Sequence, residues 1–169
     1  ESDFLWASGR WLEYMLPVQD GHMVVAVLYG YSSASADDSA YQLNEQLLAH
    51  AYLRMRQLNS VQYFLCTDLN VNPSKSKVVS RAITDHHVYD IVDQAYAGAP
   101  PNTYKKGSIS EGMEGTGSTR IDTVLTNAAA ANACDLVTCL FKDFTVFDHC
   151  PNRGAPLYRE VPGRCVCRR

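Results

Sequence analysis

No apolar run in this sequence approaches the ~20 residues that a membrane-spanning helix needs. Runs such as Met23 to Tyr29 and Ala128 to Ala131 are strand- or turn-sized, so no membrane role is expected. The opening, Glu1-Ser2-Asp3-Phe4-Leu5-Trp6, has neither the basic segment nor the apolar core of a secretion signal. It also has no initiator Met, which leads us to expect a piece of a longer chain. Net positive charge is missing as well: 15 basic residues against 18 acidic ones leave −3, with no general attraction to nucleic acid. A phosphate-binding protein of this charge needs a local basic patch or a bound cation. No CxxC pair occurs among Cys66, Cys134, Cys139, Cys150, Cys165 and Cys167. The spacing of Cys165 and Cys167 suits no usual tetrahedral zinc site, which argues against a zinc module built with His86 and His87. A reduced, intracellular protein is expected rather than a disulfide framework. The glycine-rich stretch Glu111 to Gly117 lacks the Gly-Lys-Ser/Thr ending of a phosphate-binding P-loop and reads as a flexible loop. There is no internal repeat.

What remains is a chain of 169 residues, 46% hydrophobic and 20% charged, the composition of one globular domain. Residues Arg10 to Val18 and His22 to Tyr29 read as strands joined through Gln19-Asp20-Gly21, a good hairpin signal. After a Ser/Ala-rich loop, Ser39 and Gln42 form a capping-box pattern for a helix. Leu43, Leu47, Ala51, Met55 and Leu58 supply its apolar stripe. Val61 to Cys66 is a short apolar strand, and Asn72-Pro73-Ser74 turns the chain into one or two short helices over Lys75 to Ala95. Asp85-His86-His87 falls at a helix boundary. Residues Gly98 to Gly117 form a long loop whose Lys105 and Lys106 read as solvated. Thr119 to Thr126 is a strand, Asn127 to Ala133 a short helix and Leu136 to Phe141 another strand. Beyond Pro151 the pattern fails, and residues 152–169 form an irregular basic tail. Strands alternating with helices, plus a hairpin, specify an α/β fold.

Three acidic signatures follow or lie inside the β-branched runs: Thr67-Asp68-Leu69-Asn70, Thr119-Arg120-Ile121-Asp122 and Phe147-Asp148-His149-Cys150-Pro151. Each can place a carboxylate at a strand end. Alone, each is also a common turn or edge pattern, since Asp and Asn side chains bond nearby backbone. Together, clustered carboxylates beside a histidine are what a divalent cation and a phosphate ester need.

These signatures in this order, with Tyr29 ending an apolar strand, resemble the endonuclease/exonuclease/phosphatase superfamily. The closest likeness is in style to its abasic-site endonuclease and retroelement endonuclease branches. The resemblance runs from about residue 10 to residue 151. It implies a four-layered α/β sandwich, here incomplete, in a single N-terminally truncated domain over residues 1–169. It also implies a metal-dependent phosphodiesterase, using Mg2+ or Mn2+, that hydrolyses phosphodiester bonds in DNA by in-line attack of an activated water. In that reading Asp68 positions or deprotonates the water and contributes to the metal site with Asp148. Asn70 hydrogen-bonds the water or a phosphate oxygen, and Tyr29 donates to a phosphate oxygen. His149 contacts the scissile phosphate, with Asp122 orienting its imidazole.

Three departures accompany the likeness. The family's opening Asn and metal-binding Glu have no counterpart here, Thr67 and Thr123 replace a small and an aromatic residue, and Asn152-Arg153-Gly154 replaces an apolar strand start. The alternatives are a non-catalytic remnant, for example from a retroelement, and a phosphoinositide or lipid phosphodiesterase. Losing part of a two-sheet sandwich should also leave one sheet face uncovered.

Overall fold

The computed structural model describes residues 3–19, 21–96, 100, 102–105 and 118–133. The chain starts with helix α1 (Asp3–Ala7) and a hairpin of β1 (Trp11–Val18) and β2 (Gly21–Tyr29), in which Val18 pairs with Gly21. Gly21, at φ +137, takes a backbone conformation that side-chain-bearing residues avoid. Helix α2 (Asp38–Gln57) follows, then β3 (Gln62–Asp68), a 3-10 turn over Pro73–Lys75 and α3 (Lys77–Thr84). Strand β4 (Tyr89–Asp90), α4 (Ile91–Ala95), β5 (Tyr104–Lys105), β6 (Ser118–Thr119), β7 (Asp122–Thr126) and α5 (Ala128–Ala133) complete the described elements.

Five strands form one mixed sheet in the order β1-β2-β3-β7-β4. β2 and β3 are parallel and joined through α2, a βαβ unit, while β7 runs antiparallel to both β3 and β4. Strand alternation sends Val24, Ala26, Leu28, Tyr63 and Leu65 to one face, where they pack with Leu47, Leu48, Ala51 and Met55 of α2. The mixed α/β class expected from the sequence is the one observed. The other face carries Leu12, Tyr14, Leu16, Val27 and Tyr29, each 41–57% exposed.

The sequence misjudged several local details, among them the helical span expected over Lys75 to Ala95, which β4 interrupts at Tyr89–Asp90 by pairing with β7. Asp37, not Ser39, caps α2: its carboxylate accepts from the Ser39 and Ala40 N–H groups at 2.7 and 3.2 Å. A carboxylate meets the helix's free amides and its dipole better than a hydroxyl does. Leu43 is exposed, and the buried stripe runs instead through Ala40, Asn44, Leu47, Leu48, Ala51 and Met55. The strand expected over Thr119 to Thr126 breaks at Arg120 and Ile121, where buried side-chain bonds replace the ladder. Finally, the long loop is tied at its base, because Tyr104 and Lys105 pair with Thr119 and Ser118. His86, at φ 56 just past α3, marks the helix boundary as expected. Cys66 packs as a half-buried hydrophobe with its thiol pushed up by burial. The other five cysteines, and the strand expected over residues 136–141, lie outside the described residues.

One polar group threads the covered face. Glu13 of β1 accepts from Arg54 of α2 at 2.8 Å and from the Tyr63 hydroxyl of β3 at 2.8 Å, tying three elements together. Burial first, then the bond to Glu13, push the Tyr63 phenol well above the ordinary tyrosine value of 10.0. The folded state therefore keeps a proton that the unfolded chain loses above about pH 10, and stability falls as pH rises past that point. Its steepest contribution is about 1.4 kcal/mol per pH unit. We expect Tyr63→Phe to cost about 1–2 kcal/mol near pH 8 and to make the alkaline decline shallower. Urea unfolding from pH 8 to 11 checks this, and parallel curves for the two proteins would refute it.

Candidate active site

Because β2 and β3 are parallel, their carboxyl ends reach the same rim of the sheet, and the antiparallel β7 begins there. Tyr29 pairs with Asp68, and Asp68 with Asp122. Cross-strand partners share a face of the pleat with Cβ atoms about 5 Å apart. Three sequence-predicted residues thus form one row, with Tyr29 exposed and both carboxyl groups half-buried. Asn70 joins them by folding back. It sits at φ 54, a left-handed conformation that Asn tolerates. Its N–H donates to Asp68 Oδ1 at 3.2 Å, and its Nδ2 donates to the Gly30 carbonyl at 3.4 Å. Asp148 and His149 lie outside the described residues.

The residues that hold this row were not singled out from sequence. Asn44, 1% exposed in the middle of α2, accepts from the Tyr31 N–H at 2.7 Å and donates to the Leu69 carbonyl at 2.7 Å. It pins the chain just after β2 and just after β3. Gly30 lets these segments touch: a Cβ there would fall 2.6 Å from the Leu69 carbonyl oxygen. Its N–H donates to the Asp68 carbonyl at 2.6 Å. An Asn four residues after an expected helix start, on the apolar stripe, was the available signal.

Arg120, 6% exposed, fixes the other side of the row. Its Nη2 donates to Asp90 Oδ2 and to Thr123 Oγ1, its Nη1 lies 3.8 Å from Asp93, and its Nε donates to the Asp122 carbonyl at 3.3 Å. The Thr123 hydroxyl in turn donates to Asp90 Oδ1 at 2.8 Å. Asp90 also caps α4 by accepting from the Asp93 N–H. Thr103 Oγ1 accepts from the Ile121 and Asp122 N–H groups at 3.0 and 3.1 Å, replacing the ladder lost at the strand break. Both threonines, Thr67 and Thr123, have structural work here. Thr123 bridges a buried ion pair, and the Thr67 hydroxyl donates to the Thr123 carbonyl at 3.1 Å.

Chemically, the row is an all-oxygen donor set. Two carboxylates directly opposite each other repel unless a proton, cation or donor intervenes. A hard divalent cation suits a rim carboxylate such as Asp68, since magnesium needs only one or two carboxylates and keeps several waters. Among the described residues no group of three His, Cys, Asp or Glu side chains converges on one point.

No protein-family model matches the chain, and no curated protein matches it in sequence. Solved structures do match. The 3′-5′ exonuclease NExo from Neisseria meningitidis aligns at 13% identity over 75% of this chain and 71% of its own, with a TM-score of 0.51. The fold is of the endonuclease/exonuclease/phosphatase type. A second structure, the 3′ phosphatase NExo from Neisseria bound to product DNA hairpin, aligns at 13% identity over 78% of this chain and 72% of its own, also at 0.51. The human Nocturnin catalytic domain aligns at 12% identity over 70% of this chain with a TM-score of 0.49, and the chain spans 41% of its length.

Two substitutions probe the clamp. Gly30→Ala forces a Cβ against backbone and should cost about 1–3 kcal/mol. Asn44→Leu keeps the same branched arrangement of four side-chain heavy atoms but strands the buried Tyr31 N–H and Leu69 carbonyl, for about 2–4 kcal/mol in total. Denaturant unfolding checks both, and a loss under about 0.5 kcal/mol for either, the range of a surface change, would contradict the clamp.

Proposed function

We propose that this chain carries part of a metal-dependent phosphodiesterase site acting on nucleic acid, with DNA as substrate. The observation that carries the reading is the in-register row Tyr29, Asp68 and Asp122 with Asn70 folded against it. The fold supports it, because ligands of open α/β sheets bind at the carboxyl ends of parallel strands. The likeness to NExo, whose structure holds a product DNA hairpin, supports nucleic acid over lipid substrates.

In this reading Asp68 holds the attacking water and takes its proton as the oxygen approaches phosphorus from the side opposite the leaving oxygen. The side-chain amide of Asn70 orients that water or a phosphoryl oxygen. The Tyr29 hydroxyl donates to a phosphoryl oxygen as charge builds there. Asp122 orients His149, whose imidazole stabilises the same charge. Asp68 and Asp148 would be the residues to hold Mg2+ or Mn2+, which would supply charge neutralisation at the phosphate.

The test is magnesium-dependent cleavage of abasic and intact DNA duplexes by the folded chain. Asp68→Ala and His149→Ala should each lower the rate about 100-fold or more. Asn70→Gly, which keeps the left-handed backbone and removes the amide, should lower it about tenfold with little loss of stability. No cleavage by a demonstrably folded chain would favour a non-catalytic remnant. Release of phosphate from inositol lipids without DNA cleavage would move the site to that substrate class.

A further inference from the structure

We propose that Arg10 is a substrate-positioning residue of this site, gripping a nucleic-acid backbone phosphate beside Asn70. The proposal rests on the phosphodiesterase reading and adds to it a residue outside the acidic signatures.

Arg10 lies just ahead of β1, and its carbonyl accepts from the Tyr29 N–H at 3.0 Å, so it stands against the last residue of β2. Its Nη1 donates to the Gly30 carbonyl at 2.8 Å and to the Tyr29 carbonyl at 3.4 Å. Asn70 Nδ2 donates to that same Gly30 oxygen at 3.4 Å. Two donors on one oxygen lie within about 6 Å of each other, a gap that a single phosphate group can bridge.

The guanidinium is held as a platform-mounted cation. Its central carbon lies 3.9 Å from the centroid of the Tyr31 ring and 5.5 Å from that of Tyr29. Arg54, Arg81 and Arg120 each pair with a carboxylate, whereas Arg10 has only carbonyl and ring partners among the described residues. Among the described residues its hydrogen bonds all leave from Nη1, which leaves Nε and Nη2 as donors for a ligand. A planar fork with two donors free and its face stacked matches the geometry of phosphate recognition.

The test is equilibrium binding of a short fluorescein-labelled DNA duplex by the full chain, read by anisotropy in EDTA across a series of salt concentrations. Arg10→Gln should weaken binding about 5- to 10-fold near 0.1 M salt and lower the log–log salt slope by about one. Arg10→Lys should keep the slope while binding two- to threefold more weakly. A staple without phosphate contact cannot move the slope, so equal slopes for wild type and Arg10→Gln would overturn the proposal and leave the rim reading intact. Absence of binding by the folded wild-type chain would overturn both. Should Arg10→Gln fold poorly, Tyr31→Leu carries the test: loss of the stacking ring should weaken binding about threefold. Undiminished binding by that variant would overturn the proposal.

Discussion

The geometry of the rim depends on one buried amide. Where β2 and β3 leave the sheet, their backbone groups lose the ladder while still covered by α2, and a buried N–H or C=O without a partner is costly. Asn44 answers both at once, accepting from Tyr31 and donating to Leu69. Which end of the amide faces which neighbour is dictated by chemistry, since an N–H needs an acceptor and a carbonyl a donor. The side chain comes from the middle of α2, so the helix that builds the core also sets where the two strand exits lie. Asp68 precedes Leu69 and Asn70 follows it. Any drift of the Leu69 carbonyl would carry both away from Tyr29.

A second constraint acts from the far side. β7 has five residues and β4 only two, so β7's outer edge has little ladder to orient it. The buried Arg120–Asp90 pair, bridged by Thr123, replaces what the ladder lacks. Such a pair contributes little net stability, because taking two charges out of water costs about as much as their attraction returns. Its effect is directional. Arg120 can satisfy Asp90, Thr123 and the Asp122 carbonyl together in only one arrangement of β4, β7 and α4.

Strands β1, β2, β3 and β7, the long helix and the strand-end carboxylates Asp68 and Asp122 were legible because they are written in local patterns: alternation, apolar periodicity and polar residues at strand ends. Parallel and antiparallel pairing then turned three separate strand ends into one row. The clamp was not legible, because Asn44 sits at a position that helical spacing assigns to the core. Its role appears only when two chain exits some 13 and 25 residues away meet it. Arg120 likewise read as part of a motif rather than as a buried cation, since its partner Asp90 is 30 residues distant. Leu43 was misassigned for the complementary reason. Periodicity gives the stripe but not its edge, and only the packed sheet decides which flank faces water.

Across the strand order the rim changes character: a cation ahead of β1, a phenol ending β2, and carboxylates on β3 and β7. A chain with net charge −3 offers a polyanion no long-range attraction. At physiological salt, exposed charges more than about 8 Å apart are largely screened. What a phosphate meets here is therefore decided by groups in direct contact with it. Two opposed carboxylates alone would repel it. A fixed cation and neutral donors on one side, with a hard metal ion offsetting the carboxylates on the other, would make the same rim receptive. The acidic half of the row suits activation of water, and the β1–β2 half suits capture of the phosphate. Under the proposed function, the strand order would put phosphate capture on the β1–β2 side of one sheet edge and activation of water on the β3–β7 side.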